Sequence, residues 1–372
     1  MVSRLFKHRK RAYQAKKIFE KHSFYLKPGT YILDEKLKVI YRNDKDTIRF
    51  VENVILKNNY NLISATSIKK IIKRLIVPRK IEIKDLESKT RKKFDGTIYL
   101  LSNTTDEEKD VKIFNFETME VLTIYVDGDS LKKKIDTYEA FKSYFMIPQI
   151  LSYDLDDRIT IEELVISKPK NEWNKNDYEK VIDCIFTNYK YYYLDCSKHK
   201  KYTKVSVNKL LKEIQQERIL SPIANKIEKN IPDHLMNMEF PAVKQHGDLW
   251  LYNILLKQNS EINLCYFIDW EHAGEYFLFY DLFWWMQNEA IYNSDYSYIE
   301  KYMSGGYDNY FKDLFEEYGI KFSETLRCYY FNIAILEIIN KRILDKEDPT
   351  KKTAIDLFMP LLGKIETMNI SS

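Results

Sequence analysis

Apolar and polar positions along this chain follow two periodicities, and the change between them falls near residue 167. From residue 95 to that point, short apolar runs predict strands, interrupted by one helically spaced segment that ends before Pro148. Beyond it, apolar residues recur mostly at helical spacing. The predicted strands are residues 97–102, 111–116, 121–126 and 159–167, and the predicted helices are residues 131–145, 178–192, 205–219 and 323–343.

This order of elements predicts an α+β protein with two lobes. Four residues separate the runs 111–116 and 121–126, a length typical of a hairpin, so the strands are expected to form an antiparallel meander. We expect a small sheet lobe at residues 93–166 and a larger, mostly helical lobe at residues 167–372. Residues 1–92 are expected to be an N-terminal extension of unknown role, with a basic helical start at 9–22, strand-like pieces at 30–34 and 38–41, and a helix at 67–75.

Composition indicates a folded chain and excludes two kinds of nucleotide site. Of the 372 residues, 45% are hydrophobic and 15% aromatic, which argues against general disorder. Only nine are glycine; no two are spaced Gly-x-Gly, and no Gly-Lys-Ser/Thr occurs. A Rossmann dinucleotide fingerprint and a P-loop are therefore excluded.

Charge is nearly balanced over the whole chain but uneven at its start. The net charge of +4 does not favour a nucleic-acid partner. Residues 1–30 carry nine Lys and Arg against Glu20 alone, which suits either weak contact with an acidic membrane surface or a solvated face. Because this rationale is only electrostatic, we expect residues 1–25 to be separable from any nucleotide chemistry.

Cysteine usage and the absence of long apolar runs predict a reducing, cytoplasmic location. The four cysteines form no Cys-x-x-Cys pair, and no signal-peptide core or run of 18 apolar residues is present. The sequence carries no signal for an oligomeric state.

The segment from Lys244 to Lys257 concentrates the chemistry. Asp248 and Asn253 lie five residues apart between two apolar runs, and a later apolar run ends at Asp269. Phosphoryl transfer needs such groups: a carboxylate to orient the attacking hydroxyl, and an amide and a second carboxylate to hold Mg²⁺ on nucleotide phosphates. The His-x-Asp-x-x-x-x-Asn spacing, followed by an Asp, also matches the catalytic loop of kinases.

These residues resemble the aminoglycoside phosphotransferase and choline kinase family. The family carries His-Gly-Asp-Leu, an Asn five residues after the Asp, and a later Ile-Asp-Trp/Phe-Glu segment; here these are 246–249, Asn253 and 268–271. The resemblance is tight over 245–283, loose from Asp95 onward, and absent from residues 1–92. It implies a bilobal protein-kinase-like fold and ATP and Mg²⁺ as cofactors.

The resemblance also implies a role for each matching residue. Asp248 is expected to be the catalytic base, and His246 to brace the loop backbone. Asn253 and Asp269 are expected to bind Mg²⁺. Asp281, in the Tyr-Asp-Leu-Phe segment that follows, is expected to be a buried anchor of the loop.

For the nucleotide, the resemblance implies a phosphate cover and an adenine-binding connector. The cover would comprise Ser102, Asn103 and Thr104, and the connector would present the backbone from Glu163 to Val165 to adenine. The family's nucleotide lysine lies on the third strand, which here has none. Lys112 on the second strand is the expected replacement, with Lys132, Lys133 and Lys134 on the next helix as further candidates and Asp136 or Glu139 as the carboxylate partner.

Three functions remain open to the sequence. The first is an ATP- and Mg²⁺-dependent phosphotransferase acting on a hydroxyl of a small molecule or saccharide. The missing third-strand lysine favours a second, a non-catalytic nucleotide-binding scaffold. A protein kinase proper is disfavoured, because neither Asp-Phe-Gly nor Ala-Pro-Glu brackets an activation segment. The aromatic cluster at 277–285 suits either the core or a box for a cationic acceptor.

Overall fold

The chain divides into two compact units. A computed structural model describes residues 16–34, 39–52, 79–84, 93–100, 110–257 and 264–371. The first unit comprises Met1–Ile182 and Leu255–Ile268, and the second comprises Asp183–Ile254 and Asp269–Ser372. The predicted helix at 67–75 lies outside the described residues. Within the described ranges, no helix is long and apolar enough to cross a membrane.

The first unit is built on an eight-stranded antiparallel sheet. Its strands, in the spatial order β3-β1-β2-β4-β5-β6-β8-β7, pair with their neighbours throughout. A helix, α2 (Gly128–Phe141), separates β6 from β7, and the Asp127 carboxylate caps its start by accepting a hydrogen bond from the Ser130 amide at 2.7 Å. The strands are β1 (Gly29–Asp34), β2 (Val39–Arg42), β3 (Arg79–Ile83), β4 (Thr97–Leu100), β5 (Val111–Asn115), β6 (Glu120–Ile124), β7 (Ile150–Asp154) and β8 (Ile159–Glu163), with a short helix α1 at Lys45–Phe50.

The N-terminal region forms part of this sheet, which corrects the expected boundary at residue 92. Strand β2 pairs with β4, so β1–β3 extend the sheet formed by β4–β8. This pairing covers an edge of β4 that would otherwise expose unpaired backbone groups. Phe19 and Tyr25 are buried in the same apolar cluster as Ile113 and Leu122. Removing residues 1–25 would therefore cut into the folded unit, contrary to the expectation that this segment is separable.

The two faces of the sheet differ in polarity. Side chains alternate along each strand, so Ile113 on β5, Leu122 on β6 and Ile161 on β8 contribute to the apolar cluster. The opposite face carries polar side chains, and α2 contacts it through Lys134, which pairs with Glu162. The polar positions of this face include Lys112, Thr123, Thr160 and Glu162, placed by the register Lys112↔Thr123↔Thr160.

A short hairpin from later in the chain completes the first unit. Strands β11 (Ile254–Leu256) and β12 (Cys265–Phe267) pair with each other, and Tyr266 bridges to Met146. The sequence had assigned this region to the helical lobe. It returns to the first unit because its apolar strand residues, Cys265 and Phe267, are buried there beside Phe145.

The second unit is mostly helical, as expected. Strands β9 (Thr203–Ser206), β10 (Glu239–Gln245) and β13 (Gly274–Phe277) form a small antiparallel sheet in the order β13-β10-β9. Helix α3 (Lys175–Lys198) runs from the first unit into the second. The other helices are α4 (Val207–Gln215), α5 (Ser221–Asn230), α6 (Asp233–Met236), α7 (Tyr280–Tyr292), α8 (Ser297–Met303), α9 (Asp308–Glu317), α10 (Arg327–Arg342) and α11 (Asp348–Ser371).

The α+β class, with an antiparallel sheet and a larger helical part, is confirmed. Two elements of the structure differ from the expectation. Residues 205–219 were expected to be one helix, but β9 ends at Ser206, whose hydroxyl accepts from the Lys209 amide and starts α4. Strand β7 was not predicted, because an exposed edge strand needs no apolar alternation.

Candidate functional site

A tight turn connects β10 to the short 3₁₀ helix Leu251–Asn253 and contains Asp248, the predicted catalytic residue. Gly247 in this turn has φ of 79°, the left-handed region that favours glycine. A Cβ atom there would collide with the His272 carbonyl oxygen and lie 2.6 Å from the Tyr276 hydroxyl. No other residue fits without moving the loop, so the glycine fixes the direction in which Asp248 leaves the strand.

Asp281, at the start of α7, anchors the loop that contains Asp248 by accepting hydrogen bonds from its backbone. Its carboxylate accepts hydrogen bonds from the His246 amide at 2.7 Å, the Gly247 amide at 2.9 Å and the Tyr189 hydroxyl at 2.6 Å. It is completely buried, and that burial raises its pKa to about 6 although all three hydrogen bonds oppose the shift. Two amides that would otherwise lack partners are thereby satisfied, which makes the turn rigid.

Gln245 is a second anchor, and the sequence analysis assigned it no role. It is fully buried, and its amide nitrogen donates to the carbonyls of Tyr276 and Phe277. Its oxygen accepts from the Tyr193 hydroxyl at 2.7 Å and from the Asp281 amide at 3.2 Å. The sequence signal for this role was a polar residue at the end of a largely apolar strand, directly before His246.

His246 and Asn253 hold the backbone around Asp248. The His246 Nδ1 atom accepts from the Asp248 amide at 3.2 Å, and its buried ring lies 4.4 Å from that of Trp270. The Asn253 side-chain nitrogen donates to the Asp248 carbonyl at 2.8 Å and to its carboxylate at 3.3 Å. The structure therefore brings together three of the residues that the sequence singled out.

Arg342, at the end of α10, was missed by the sequence analysis. Its Nη2 donates to the Gly247 carbonyl and lies 3.4 Å from Asp248 Oδ1. The guanidinium carbon is 5.2 Å from the centre of the Trp284 ring, a cation–π geometry. Ninety-four residues separate Arg342 from Asp248, so no local pattern could have signalled the contact.

The carboxylate of Asp248 is partly exposed, with 27% of the side chain accessible. Burial raises its pKa above the ordinary value, and the nearby charge of Asp269 adds to that effect. The positive charge of Arg342 and the imidazole of His272 oppose it. The site thus holds a fixed, partly desolvated carboxylate.

Asp269 adopts a backbone conformation that is uncommon for a residue with a side chain. Its φ is 67° and its ψ is 52°, in the left-handed region, and it precedes the 3₁₀ helix Trp270–His272. Such conformations cost free energy and cluster at functional sites. The residue is exposed, and its side chain makes no capping hydrogen bond to this helix.

The aromatic cluster expected either in the core or in a cation box lies mainly in the core. Five of its members are completely buried, and the sixth, Trp284, has Arg342 over its ring. A second cation would be repelled from that ring. The buried members are Phe277, Phe279, Tyr280, Phe283 and Trp285.

The residues predicted to contact the nucleotide belong to the first unit. Ser102, Asn103 and Thr104 lie outside the described residues. The Glu163 amide donates to the Gln149 carbonyl and the Leu164 amide to the Met119 carbonyl, at 2.9 and 2.8 Å. The Val165 amide donates to no residue in the described part of the chain, although Val165 is only 8% exposed.

Lys112 lies on the polar face of the sheet, next to Thr123 of β6. The partner expected for a helix lysine, Asp136 or Glu139, is not the one observed. Glu139 pairs with Lys142 on its own helix, and Asp136 is exposed. The carboxylate that pairs with Lys134 is Glu162 on β8, at 2.8 Å.

Solved structures similar to this chain include several kinases of small molecules. The choline kinase LicA from Streptococcus pneumoniae is 12% identical, with 73% of this chain and 92% of that chain covered and a TM-score of 0.37. A putative aminoglycoside phosphotransferase from Ralstonia eutropha is 13% identical, with coverages of 74% and 92% and a TM-score of 0.43. At these identities and TM-scores, neither likeness decides the activity or the acceptor.

Comparison with family models identifies one match, and it spans the loop described above. No curated protein matches the chain. Residues 196–310 match the phosphotransferase enzyme family. This interval contains His246, Asp248, Asn253, Asp269 and Asp281. The resemblance inferred from those residues is confirmed: over residues 196–310, the chain resembles the phosphotransferase enzyme family.

Proposed function

We propose that the chain is a phosphotransferase that moves the γ-phosphate of ATP to a hydroxyl of a small molecule or saccharide. The observation that carries the proposal is the restraint on Asp248. Its amide, carbonyl and carboxylate are each held by a different side chain, those of His246, Asn253 and Arg342, yet 27% of the side chain remains open to solvent. A carboxylate held in this way can orient an acceptor hydroxyl.

In this proposal, Asp248 accepts the hydrogen bond of the attacking hydroxyl and takes its proton as the new P–O bond forms. The bond between the γ-phosphorus and the β,γ-bridging oxygen breaks in the same step, and ADP leaves. Partial burial raises the pKa of Asp248, which makes the carboxylate a better base than an exposed one. Arg342 keeps the negative charge compensated and holds the turn through Gly247.

The donor set suits Mg²⁺. Asn253 uses its side-chain nitrogen on Asp248, which leaves its oxygen to face a cation, and Asp269 offers an exposed carboxylate. In the described part of the chain, no three His, Cys, Asp or Glu residues cluster closely enough to hold a metal alone. This agrees with Mg²⁺, which is commonly held by one or two carboxylates plus substrate phosphates. Bound there, the ion would offset charge on the phosphates.

The base of the nucleotide would bind to the backbone that follows β8. The Val165 amide, in a buried residue and without an acceptor among the described residues, is free to donate to adenine. Glu163 is fixed beside it by the Tyr266 hydroxyl at 3.2 Å. Similar solved structures include a LicA complex with AMP and an aminoglycoside phosphotransferase complex with GDP. Ser102, Asn103 and Thr104 stay the proposed phosphate cover.

A non-catalytic nucleotide-binding scaffold is the second candidate. It is favoured by one observation: β6 carries Thr123 and no lysine. The two functions differ in turnover, because both would bind nucleotide and only the first would consume it.

The test measures ATP consumption with Mg²⁺ against a panel of amino alcohols, sugars, nucleosides and aminoglycosides. With the accepted substrate, Asp248→Asn should lower kcat by about 10² to 10⁴-fold while leaving nucleotide affinity intact. Asp269→Ala should instead weaken the binding of Mg-ATP. The control is Asp356→Asn on α11, which replaces an exposed carboxylate outside the site.

Full activity of Asp248→Asn would refute the assignment of the base. Nucleotide binding without turnover across the whole panel would favour the scaffold.

A further inference from the structure

The polar face of the first unit's sheet contains an ion pair between helix and strand. Lys134 Nζ on α2 lies 2.8 Å from Glu162 Oε2 on β8, and the two side chains are 23% and 11% exposed. Ion pairs on fully exposed surfaces contribute little to stability. This pair is largely shielded from solvent, which makes its geometry better defined.

Glu162 is itself held in place. Its Oε1 accepts from the Thr160 hydroxyl at 2.9 Å, and the Thr160 oxygen lies 3.3 Å from the Tyr125 hydroxyl. The Thr160 hydroxyl therefore orients the Glu162 carboxylate, and the carboxylate orients the Lys134 ammonium. A lysine ammonium has three donors, so Lys134 can pair with Glu162 and still donate to a ligand.

Thr123 supplies a second observation on this face. It lies between Lys112 and Thr160 in the register, on the same side of the sheet. Its side chain is 3% exposed, and its hydroxyl forms no hydrogen bond of normal length and angle among the described residues, although the Tyr125 hydroxyl is near enough to interact with it. A buried hydroxyl without a partner costs free energy, and a ligand oxygen would remove that cost.

We propose that Lys134, oriented by Glu162, is the cation that binds the α- and β-phosphates of the nucleotide. The inference rests on the proposed function and names the residue that replaces the missing third-strand lysine. The ion pair has the reverse placement of the one expected from the resemblance: here the helix supplies the lysine and a strand supplies the carboxylate. Thr123 on β6 then needs no charge, because the ammonium of Lys134 supplies it.

Lys134 is better suited than Lys112, the residue that the sequence favoured. Lys112 shares the face but has no carboxylate partner among the described residues, and β6 separates its strand from β8. A cation already held in position loses less conformational entropy when a phosphate binds. The structure therefore favours the helix lysine.

The experiment compares affinities for Mg-ATP and for adenosine, which carries no phosphate. Lys134→Met should weaken ATP binding by about 10 to 100-fold, the loss of one charge-assisted contact, and leave adenosine affinity within about twofold. Lys134→Arg, which keeps the charge, should bind ATP within about fivefold of the parent. Lys142→Met, which breaks the exposed ion pair with Glu139 at the end of the same helix, is the matched control and should bind both ligands as the parent does.

Glu162→Gln is the second variant, in case Lys134→Met does not fold as judged by thermal unfolding. This variant leaves Lys134 intact but removes the carboxylate charge that orients its ammonium. ATP affinity should therefore fall by about 3 to 10-fold, with adenosine affinity unchanged. Equal losses for ATP and adenosine would show a structural role and overturn the inference. Parental ATP affinity in Lys134→Met, or a loss seen only in Lys112→Met, would overturn it as well. A parent chain that does not bind ATP would overturn the proposed function together with this inference.

Discussion

Glu337 on α10 should make the stability of the second unit depend on pH. Its side chain is completely buried, and its Oε2 accepts from the Phe277 amide at 2.5 Å. Its Oε1 has no partner among the described residues. Burial raises the pKa of this carboxyl to about 8, so it is mostly protonated in the folded chain at pH 7.

The sign follows from proton binding. Between the ordinary pKa of 4.5 and the folded value of about 8, the folded state binds a proton that the unfolded state does not. The free energy of unfolding therefore falls as the pH rises through this window, by up to 1.36 kcal/mol for each pH unit. The expected total loss between pH 5 and pH 9 is about 3 to 5 kcal/mol.

The perturbation is Glu337→Gln, which keeps an acceptor for the Phe277 amide and cannot ionise. Urea unfolding followed by tryptophan fluorescence reports this unit, because four of the five tryptophans (Trp250, Trp270, Trp284 and Trp285) belong to it. The free energy of unfolding of the parent minus that of the variant should decrease by about 3 to 5 kcal/mol from pH 5 to pH 9.

The test uses the change with pH in the difference between the two free energies of unfolding, because the buried amide of the variant lowers its stability by an amount that does not depend on pH. Glu316→Gln on α9 replaces an exposed carboxylate and should give a difference that does not change with pH. A difference for Glu337→Gln that is equally flat would refute the reasoning, since it would mean that folding does not change the protonation of this carboxyl.

Two further predictions concern packing. Gly247→Ala should abolish turnover and destabilise the chain by more than Gly319→Ala, because both glycines have positive φ but only the Cβ at 247 meets other atoms within 4 Å; equal losses in urea unfolding would disprove a steric cause. Phe19→Ala should lower the stability of the first unit by about 3 to 5 kcal/mol, as for other buried phenylalanines, and unchanged thermal unfolding would place the N-terminal segment outside the core.

Local sequence was sufficient for the chemistry of the loop and for most elements of regular structure. The spacing of His246, Asp248 and Asn253 needs only one turn and one short helix to bring the three residues together. Strands β5 and β6 and helix α2 were predicted within a few residues, since their apolar periodicity and caps are properties of contiguous sequence. The family resemblance follows from the same short segments.

Tertiary structure decided which distant groups meet. Strands β1–β3 join the sheet through pairing between β2 and β4, and backbone hydrogen bonds leave no trace in side-chain pattern. Arg342 reaches Asp248 through a contact that no periodicity encodes, whereas the anchoring role of Asp281 was already implied by the family resemblance.

The pairing of Lys134 with Glu162 shows the same limit most directly. The resemblance placed the lysine's carboxylate partner on the helix, at Asp136 or Glu139. These residues lie two and five positions from Lys134, whereas side chains on one helix face each other at spacings of three or four. The actual partner lies on β8, where it is better shielded from water and fixed by Thr160. Which carboxylate an ammonium pairs with depends on packing and burial, and those exist only in the folded chain.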